Sequence, residues 1–335
     1  MGAGPPLVKA ANWLTHLQYD LESPVWLHWI RFFSEHFRFV RYDERGCGMT
    51  QWQVPDVSMP RWAEDLREVI DVAVPEGSLS LLGISQGAAT CIAYAVKHPE
   101  RVSHLILYGG YPTGWAYRDD EEGWRKYQAI VELVRLGWGS DNAAFRQIFT
   151  SRFVPGANAE QLDWFNDLCR RTTTPQIAAH LMMARAHVDV RDLLSQVSVP
   201  TLVVHALHDD VTPIQASRDL AAGIPNAEFV QLESRNHVLL EDEPAWTRFK
   251  EVVLEFTGRA GQHSRSAEDF GSLSPRERDV LARLVAGRNN AEIAAELHIG
   301  EKTVRNMLTR IFEKLGVRSR TQAIVFARDH GFSAR

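Results

Sequence analysis

Apolar positions in the first 256 residues gather into short dense runs, and between the runs they recur at helical spacing. The runs Pro6–Ala11, Phe37–Asp43, Leu79–Ser85, Leu105–Gly110, Thr201–Leu207 and Glu228–Ser234 are rich in β-branched or aromatic residues and bounded by Gly, Pro or polar positions, which predicts six strands. Segments 60–73, 87–98, 214–222 and 244–256 carry helical periodicity, so strand and helix alternate. That alternation predicts an α/β domain over 1–256, a doubly wound and mostly parallel sheet. The gap between about 111 and 199 breaks the rhythm with helix-prone sequence carrying Trp115, Trp124, Trp138 and Trp164, as an inserted helical lid would. Residues 257–272 show no periodicity and are rich in Gly, Ser and charge, the pattern of a linker.

From 273 to 335 the pattern changes to short capped helices. Ser274-Pro275-Arg276-Glu277 is a capping box with proline at the first helical position, and Gly287 stops the helix. A second helix runs from Glu292 to Leu297 behind Asn289 and Asn290; the turn His298-Ile299-Gly300 leads into a third over about 301–315, ended by Gly316. Ser319-Arg320-Thr321-Gln322 opens a fourth. Together they predict an all-α helix-turn-helix module. At 100° per residue, Val304, Leu308, Ile311 and Leu315 of the third helix fall within about 60° of one another as its buried stripe. Lys302, Thr303, Arg305, Asn306, Thr309 and Arg310 are left on the solvent side, with Lys314, Arg318 and Arg320 extending the positive strip.

Charge sharpens this division. Residues 262–335 hold 13 Lys and Arg against 9 Asp and Glu, whereas the preceding 261 hold 24 against 33, and all ten tryptophans precede residue 247. A basic, Trp-free unit on an acidic body is the charge pattern of a nucleic-acid partner, and the solvent face of the third helix suits the major groove of double-stranded DNA, with arginine and asparagine reading base edges while lysine and arginine meet phosphates. No apolar run approaches membrane-spanning length, and the start lacks the basic, apolar pattern of a secretory signal, so a cytoplasmic protein without a membrane partner is expected. Cys47, Cys91 and Cys169 are odd in number and far apart, which predicts reduced thiols rather than disulfides or a zinc site. His205, His208, Asp209 and Asp210 are closely spaced, but no second cluster completes a metal site; neither metal nor cofactor is expected.

The chemistry sits at Gly83-Ile84-Ser85-Gln86-Gly87. A strand runs into the serine and a helix follows, the strand-turn-helix context that projects a hydroxyl and sets the Gln86 amide beside it as an oxyanion donor. Side chains in place of the two glycines would collide with the following helix or the strand. A hydroxyl needs a base, and the base an acid that fixes its tautomer. Both candidates follow in chain order: Asp209 on the loop after one strand, preferred to Asp210 because it is nearer the strand end and four residues before Pro213, and His237 just past the next strand.

On these residues, and on Asp43-Glu44-Arg45-Gly46-Cys47-Gly48, which matches a D-x-R-G-x-G turn, residues 1–256 resemble the α/β-hydrolase fold. The resemblance implies a Ser85, Asp209, His237 triad. Two departures stand out. Ala10-Ala11-Asn12-Trp13 replaces the usual His-Gly pair, so the second oxyanion donor falls to Asn12 or Trp13, and the first strand matches the family's third, so the two first edge strands are expected to be missing and the sheet edge bare. Residues 273–328 resemble the LuxR-type helix-turn-helix through Leu273-Ser274-Pro275-Arg276-Glu277-Arg278, Gly287, Asn290, Glu292-Ile293-Ala294, Leu297, Ile299, Thr303-Val304, Ile311, Lys314-Leu315 and Arg320. That resemblance implies base reading by Arg305, Asn306 and Thr309, and a homodimer on paired half-sites. The expected protein is a transcriptional regulator whose hydrolase-like domain senses a small organic ligand. Two uses of that domain stay open: a serine esterase or lactonase with ester-type substrates, and a pocket that binds an effector without turnover.

Overall fold

The computed structural model describes every residue except 143, 260–269, 271–272, 316, 318, 321–322, 325–326, 328–331 and 333–335. It divides into two compact units, Met1–Val253 and Leu254–Arg335.

In the first unit the six predicted strands are all present, as β1 (Pro6–Lys9), β2 (Arg38–Val40), β3 (Leu79–Ile84), β4 (Val102–Tyr108), β5 (Thr201–Ala206) and β6 (Glu228–Leu232). They form one sheet in the order β2-β1-β3-β4-β5-β6, and every pairing is parallel. All residues of β3 and β5 are buried, which is why these runs read as continuously apolar rather than alternating. The register sets Ile84 opposite Tyr108 and Ala206 opposite Leu232, so the C-terminal ends of β3 to β6 finish side by side and the chemistry-bearing loops emerge there. The outer edge of β2 is not wholly bare: the Phe39 amide donates to the Met1 carbonyl at 2.7 Å, and the Met1 amino group donates to the Phe39 carbonyl at 2.9 Å.

Helices α1 (Leu27–His36), α2 (Met59–Ala73), α3 (Gly87–Lys97), α9 (Ile214–Gly223) and α10 (Pro244–Phe256) flank the sheet. α1 and α10 pack through an aromatic cluster in which Trp29 and Phe249 rings lie 4.8 Å apart and both approach Tyr108 of β4. α3 packs on β3 and on α2. Between β4 and β5 the chain forms α4 (Glu121–Gly137), α5 (Ala144–Phe153), α6 (Ala159–Thr172), α7 (Pro175–Ala186) and the single turn α8 (Arg191–Leu194). The three cysteines are buried free thiols.

The second unit contains α11 (Pro275–Val285), α12 (Asn290–Leu297) and α13 (Glu301–Lys314) around a core of Val280, Leu281, Leu284, Ile293, Val304, Leu308, Ile311 and Leu315. Ser274 and Glu277 form the predicted reciprocal capping box. Asn289 and Glu292 form a second one, so α12 begins at Asn290, two residues earlier than the sequence pattern indicates. The turn into α13 is left-handed at His298 (φ 53°), not at Gly300. Most of the segment read as a linker, the stop at Gly316, much of the fourth helix and its capping residues Thr321 and Gln322 lie outside the described residues.

Candidate active site and nucleic-acid interface

Ser85 follows the last residue of β3 and adopts φ 54°, a left-handed conformation that an L-residue takes only where the surroundings hold it. Its amide donates to the Tyr108 carbonyl at 2.8 Å, which fastens the turn to β4. A Cβ at Gly83 would lie 2.6 Å from the Ala88 backbone, so glycine there is sterically required. Gly87 is under less pressure than the motif implies, since a Cβ would approach nothing nearer than the Ala11 carbonyl at 3.3 Å.

Asp209 and His237 arrive from the ends of β5 and β6. His237 Nδ1 lies 2.5 Å from Asp209 Oδ2, with both side chains almost wholly buried. The Asp209 Oδ1 atom accepts the amides of Val211 (2.7 Å) and Thr212 (3.1 Å). Burial pushes the Asp209 carboxyl up, but the charge and hydrogen bond of His237, with His205 and Thr212 adding to them, hold it below the usual carboxylate range. Asp210 is exposed and contributes its backbone carbonyl to Arg152. The geometry therefore pairs Asp209, not Asp210, with the histidine. His237 Nε2 is buried without a protein hydrogen-bond partner. The Gly109 backbone lies against the imidazole and the Gly110 backbone against the Ser85 carbonyl, since a Cβ would stand 3.2 Å from His237 Cε1 at the first and 3.5 Å from that carbonyl at the second. The histidine is also held by the end of α5: its amide donates to the Phe153 carbonyl at 2.8 Å, and the Phe153 ring meets the imidazole edge-on at 5.3 Å.

Ser85 opens into a narrow cleft walled by Trp13, Gln86, Tyr111, Trp115, Tyr127, Phe149 and Phe153 among others. Of the two candidates for the second oxyanion donor, Trp13 lines this cleft; Asn12 does not, and its side-chain amide turns to the Trp13 carbonyl at 3.4 Å. In the orientation that satisfies its amide, the Gln86 carboxamide oxygen accepts from the Trp13 N–H at 2.6 Å and from Arg185 Nε at 3.3 Å. The Trp13 donor is thus occupied by a neighbouring side chain.

Arg185 was not legible as a site residue. It is 5% exposed, forms an ion pair with Glu44, and lies over the Trp13 ring at 4.9 Å. Glu44 itself is raised by burial, against the pull of Arg185. The D-x-R-G-x-G turn explains how Glu44 is delivered: Asp43 takes the amides of Leu17 and Met49, and Arg45 clamps Asp65. His205 is fully buried, with Nδ1 on the Ser217 hydroxyl (2.7 Å) and Nε2 on the Thr212 carbonyl (2.9 Å), so its ring is spent on framing the acid loop. Among the described residues no group of three His, Cys, Asp or Glu could hold a metal ion.

On α13, Val304, Leu308, Ile311 and Leu315 are buried, and Lys302, Thr303, Arg305, Asn306, Thr309 and Arg310 are exposed. The Arg305 guanidinium lies 3.7 Å from Glu301 one turn back, and the Thr309 hydroxyl donates to the Arg305 carbonyl. Two members of the expected positive strip are engaged elsewhere. Lys314 Nζ pairs with Glu277 at 2.7 Å, joining the end of α13 to the cap of α11; Arg320 donates to Asn290 Oδ1 at 3.1 Å and to the Arg288 carbonyl. Both long side chains brace the helices because each lies beside an acceptor that sequence spacing does not reveal. Arg318 lies outside the described residues.

Comparison with known proteins follows the same division. Residues 20–244 match the alpha/beta hydrolase fold family, and residues 271–327 match the luxR family of bacterial regulatory proteins. The AB hydrolase superfamily protein YisY of Bacillus subtilis is 24% identical over 262 residues, 77% of this chain and 93% of that protein. The probable HTH-type transcriptional regulator GfsR of Streptomyces halstedii is 51% identical over 69 residues, 21% of this chain and 27% of that one. Among solved structures, an esterase from Exiguobacterium antarcticum superposes with a TM-score of 0.64 at 23% identity, covering 77% of this chain and 93% of the other. The chain belongs to the alpha/beta hydrolase fold family and is a hydrolase-fused regulator of the LuxR type.

Proposed function

We propose that the hydrolase-fold part, 1–256 with its lid over about 111–199, binds a small organic ester or lactone and cleaves it, and that occupancy of the cleft biases DNA binding by the helix-turn-helix over 273–335. The observation that carries the catalytic reading is the buried His237–Asp209 pair with a free Nε2, together with a left-handed Ser85 that lines an aromatic cleft. In the reaction Ser85 Oγ attacks the carbonyl carbon while its proton passes to His237 Nε2. The tetrahedral oxyanion is met by the Gln86 N–H and, once the Gln86 side chain withdraws, by the Trp13 N–H. Collapse expels the alcohol, which takes the proton from His237. A water, deprotonated by the same nitrogen, then releases the acid and regenerates the serine.

The occupied Trp13 N–H supports a second reading, in which the cleft binds an effector without turnover. One experiment separates them. Full-length protein is treated with a fluorophosphonate probe and the adduct located by peptide mass mapping; labelling at Ser85, abolished in Ser85→Ala, is the expected result, and an unlabelled Ser85 in folded protein refutes turnover. The protein acts in the cytoplasm as a homodimer on paired half-sites, with Arg305, Asn306 and Thr309 reading bases and Lys302, Thr303 and Arg310 at or near the backbone. No described helix is long and apolar enough to cross a membrane.

A further inference from the structure

The cleft beside Ser85 carries an uneven charge. Three arginines line it, Arg118, Arg152 and Arg185, and no aspartate or glutamate does. They come from separate places in the chain: Arg118 from the loop after β4, Arg152 from α5 and Arg185 from α7. Arg185 is neutralised by Glu44. The other two are not paired in this way. Among the described residues, neither has a carboxylate within ion-pair distance. Arg118 donates through Nε to the Thr113 carbonyl at 3.2 Å, and Arg152 through Nη2 to the Asp210 carbonyl at 2.8 Å. The acids nearest Arg152 are Asp209, bound to His237, and Asp210, which is exposed; those that act on Arg118, Asp120 and Asp219, accept from Gly123 and Gln215 instead.

Both side chains are half-buried, and both are held in place. Arg118 stacks on Trp115 at 4.2 Å and Tyr111 at 5.4 Å, and its Nη1 is buried with no partner. A second buried and unpartnered donor, Arg185 Nη1, belongs to a side chain that is only 6% exposed. Burial lowers the pKa of Arg118 and of Arg152, a sign of the desolvation each one bears. A cation held out of water without a counter-charge is costly, and folds keep such a cation where an anion arrives to meet it. Guanidinium forks suit planar carboxylates in particular.

We infer that the cleft is built for a carboxylate-bearing ligand, a half-ester or the lactone of a hydroxy diacid, whose carboxylate is held by Arg118 and Arg152 while its ester carbonyl faces Ser85. The aromatic walls then cover the short apolar chain between the two groups, and the unpartnered Nη1 of Arg185 is available to the ester end, beside Gln86 and Trp13. This inference rests on the proposed ligand site, and it holds whether or not the ligand is cleaved.

The probes are monomethyl adipate, dimethyl adipate and the full-length protein at constant ionic strength. Binding is measured by calorimetry on Ser85→Ala, so that turnover plays no part, and hydrolysis is followed separately on the parent by proton release. The half-ester should bind at least tenfold more tightly than the diester, and Arg118→Gln or Arg152→Gln should each reduce that preference by about tenfold. Arg152→Lys, which keeps the charge, should retain most of it, and near-ultraviolet circular dichroism checks that each variant is folded. A half-ester preference without any hydrolysis supports the inference and removes the catalytic reading. Hydrolysis of both esters with equal kcat/KM and equal binding does the reverse: the catalytic reading stands and the inference falls. Binding of neither ester, or a preference that survives loss of both arginines, also overturns it.

Discussion

Replacing Asp209 by asparagine tests the candidate triad at its most constrained point. Asp209 Oδ1 accepts two amides, from Val211 and Thr212, while Oδ2 faces His237 Nδ1 at 2.5 Å. An asparagine carboxamide in this socket must put its oxygen where the two N–H groups converge. The flipped orientation would leave two buried donors unsatisfied and set N–H against N–H, at about 1–3 kcal/mol for each donor. The NH₂ group is thereby forced onto His237 Nδ1, which must accept, and the ring proton moves to Nε2. That is the nitrogen required to take the proton of Ser85, so the substitution leaves the shape intact and installs the wrong tautomer. The expected loss is about 10⁴-fold in kcat.

The assay is hydrolysis of 4-nitrophenyl acetate between about pH 6 and 9, together with the rate of fluorophosphonate labelling. A stability scan adds a check of opposite character. Because the folded carboxyl titrates below its unfolded value, its contribution is complete above the ordinary carboxylate range and fades as pH falls through the folded value; Asp209→Asn should lack that acid-side loss. If Asp209→Asn keeps its rate within tenfold of the parent, or if Asp210→Asn proves the more damaging change, the assignment of the acid is wrong.

Further outcomes follow from other sites. Gln86→Ala keeps its own backbone donor and frees that of Trp13, so kcat/KM should rise by about two- to tenfold, the value of one neutral hydrogen bond; a tenfold fall would mean that the carboxamide assists the reaction instead. His28 is held by burial at about 4 against an ordinary 6.5, so between these values the unfolded chain binds more protons and stability falls as pH drops from 6.5 to 4. The loss from this residue is about 3 kcal/mol, read as the difference in pH dependence of denaturant unfolding between parent and His28→Asn, and parallel curves would contradict it. Arg305→Ala should cost about 1–3 kcal/mol per half-site on a selected operator and relax discrimination, measured by fluorescence anisotropy against a scrambled duplex. Lys314→Ala, by contrast, should lower stability by about 1 kcal/mol through the Glu277 cap and leave the salt slope unchanged; a slope smaller by about 0.9 would restore Lys314 to the DNA contacts.

Much of this protein was written in local pattern. Burial on both faces makes a central parallel strand a continuous apolar run, so β3 and β5 announced themselves, and a serine turned outward between strand and helix needs the glycine at Gly83 that the motif displays. The capping box at Ser274 and the stripe Val304, Leu308, Ile311, Leu315 were equally legible, because a helix brings together residues three and four apart. Even Asp209 and His237, 28 residues apart, could be placed in order, since each sits just beyond a recognisable strand.

What the tertiary structure alone decided are meetings between residues that no local period relates. Arg118, Arg152 and Arg185 converge on one cleft from three separate segments, and Glu44 reaches Arg185 across 141 positions of chain. Lys314 looked like a phosphate contact from its helix face, until folding set Glu277 beside it. Likewise the Gln86 carboxamide covers the Trp13 donor only because the turn after β3 and the loop after β1 end side by side. Spacing along the chain encodes which residues share a strand or a helix face; which charges face one another is settled by how the elements pack, and in this protein that packing pairs Lys314 with Glu277 and Arg185 with Glu44.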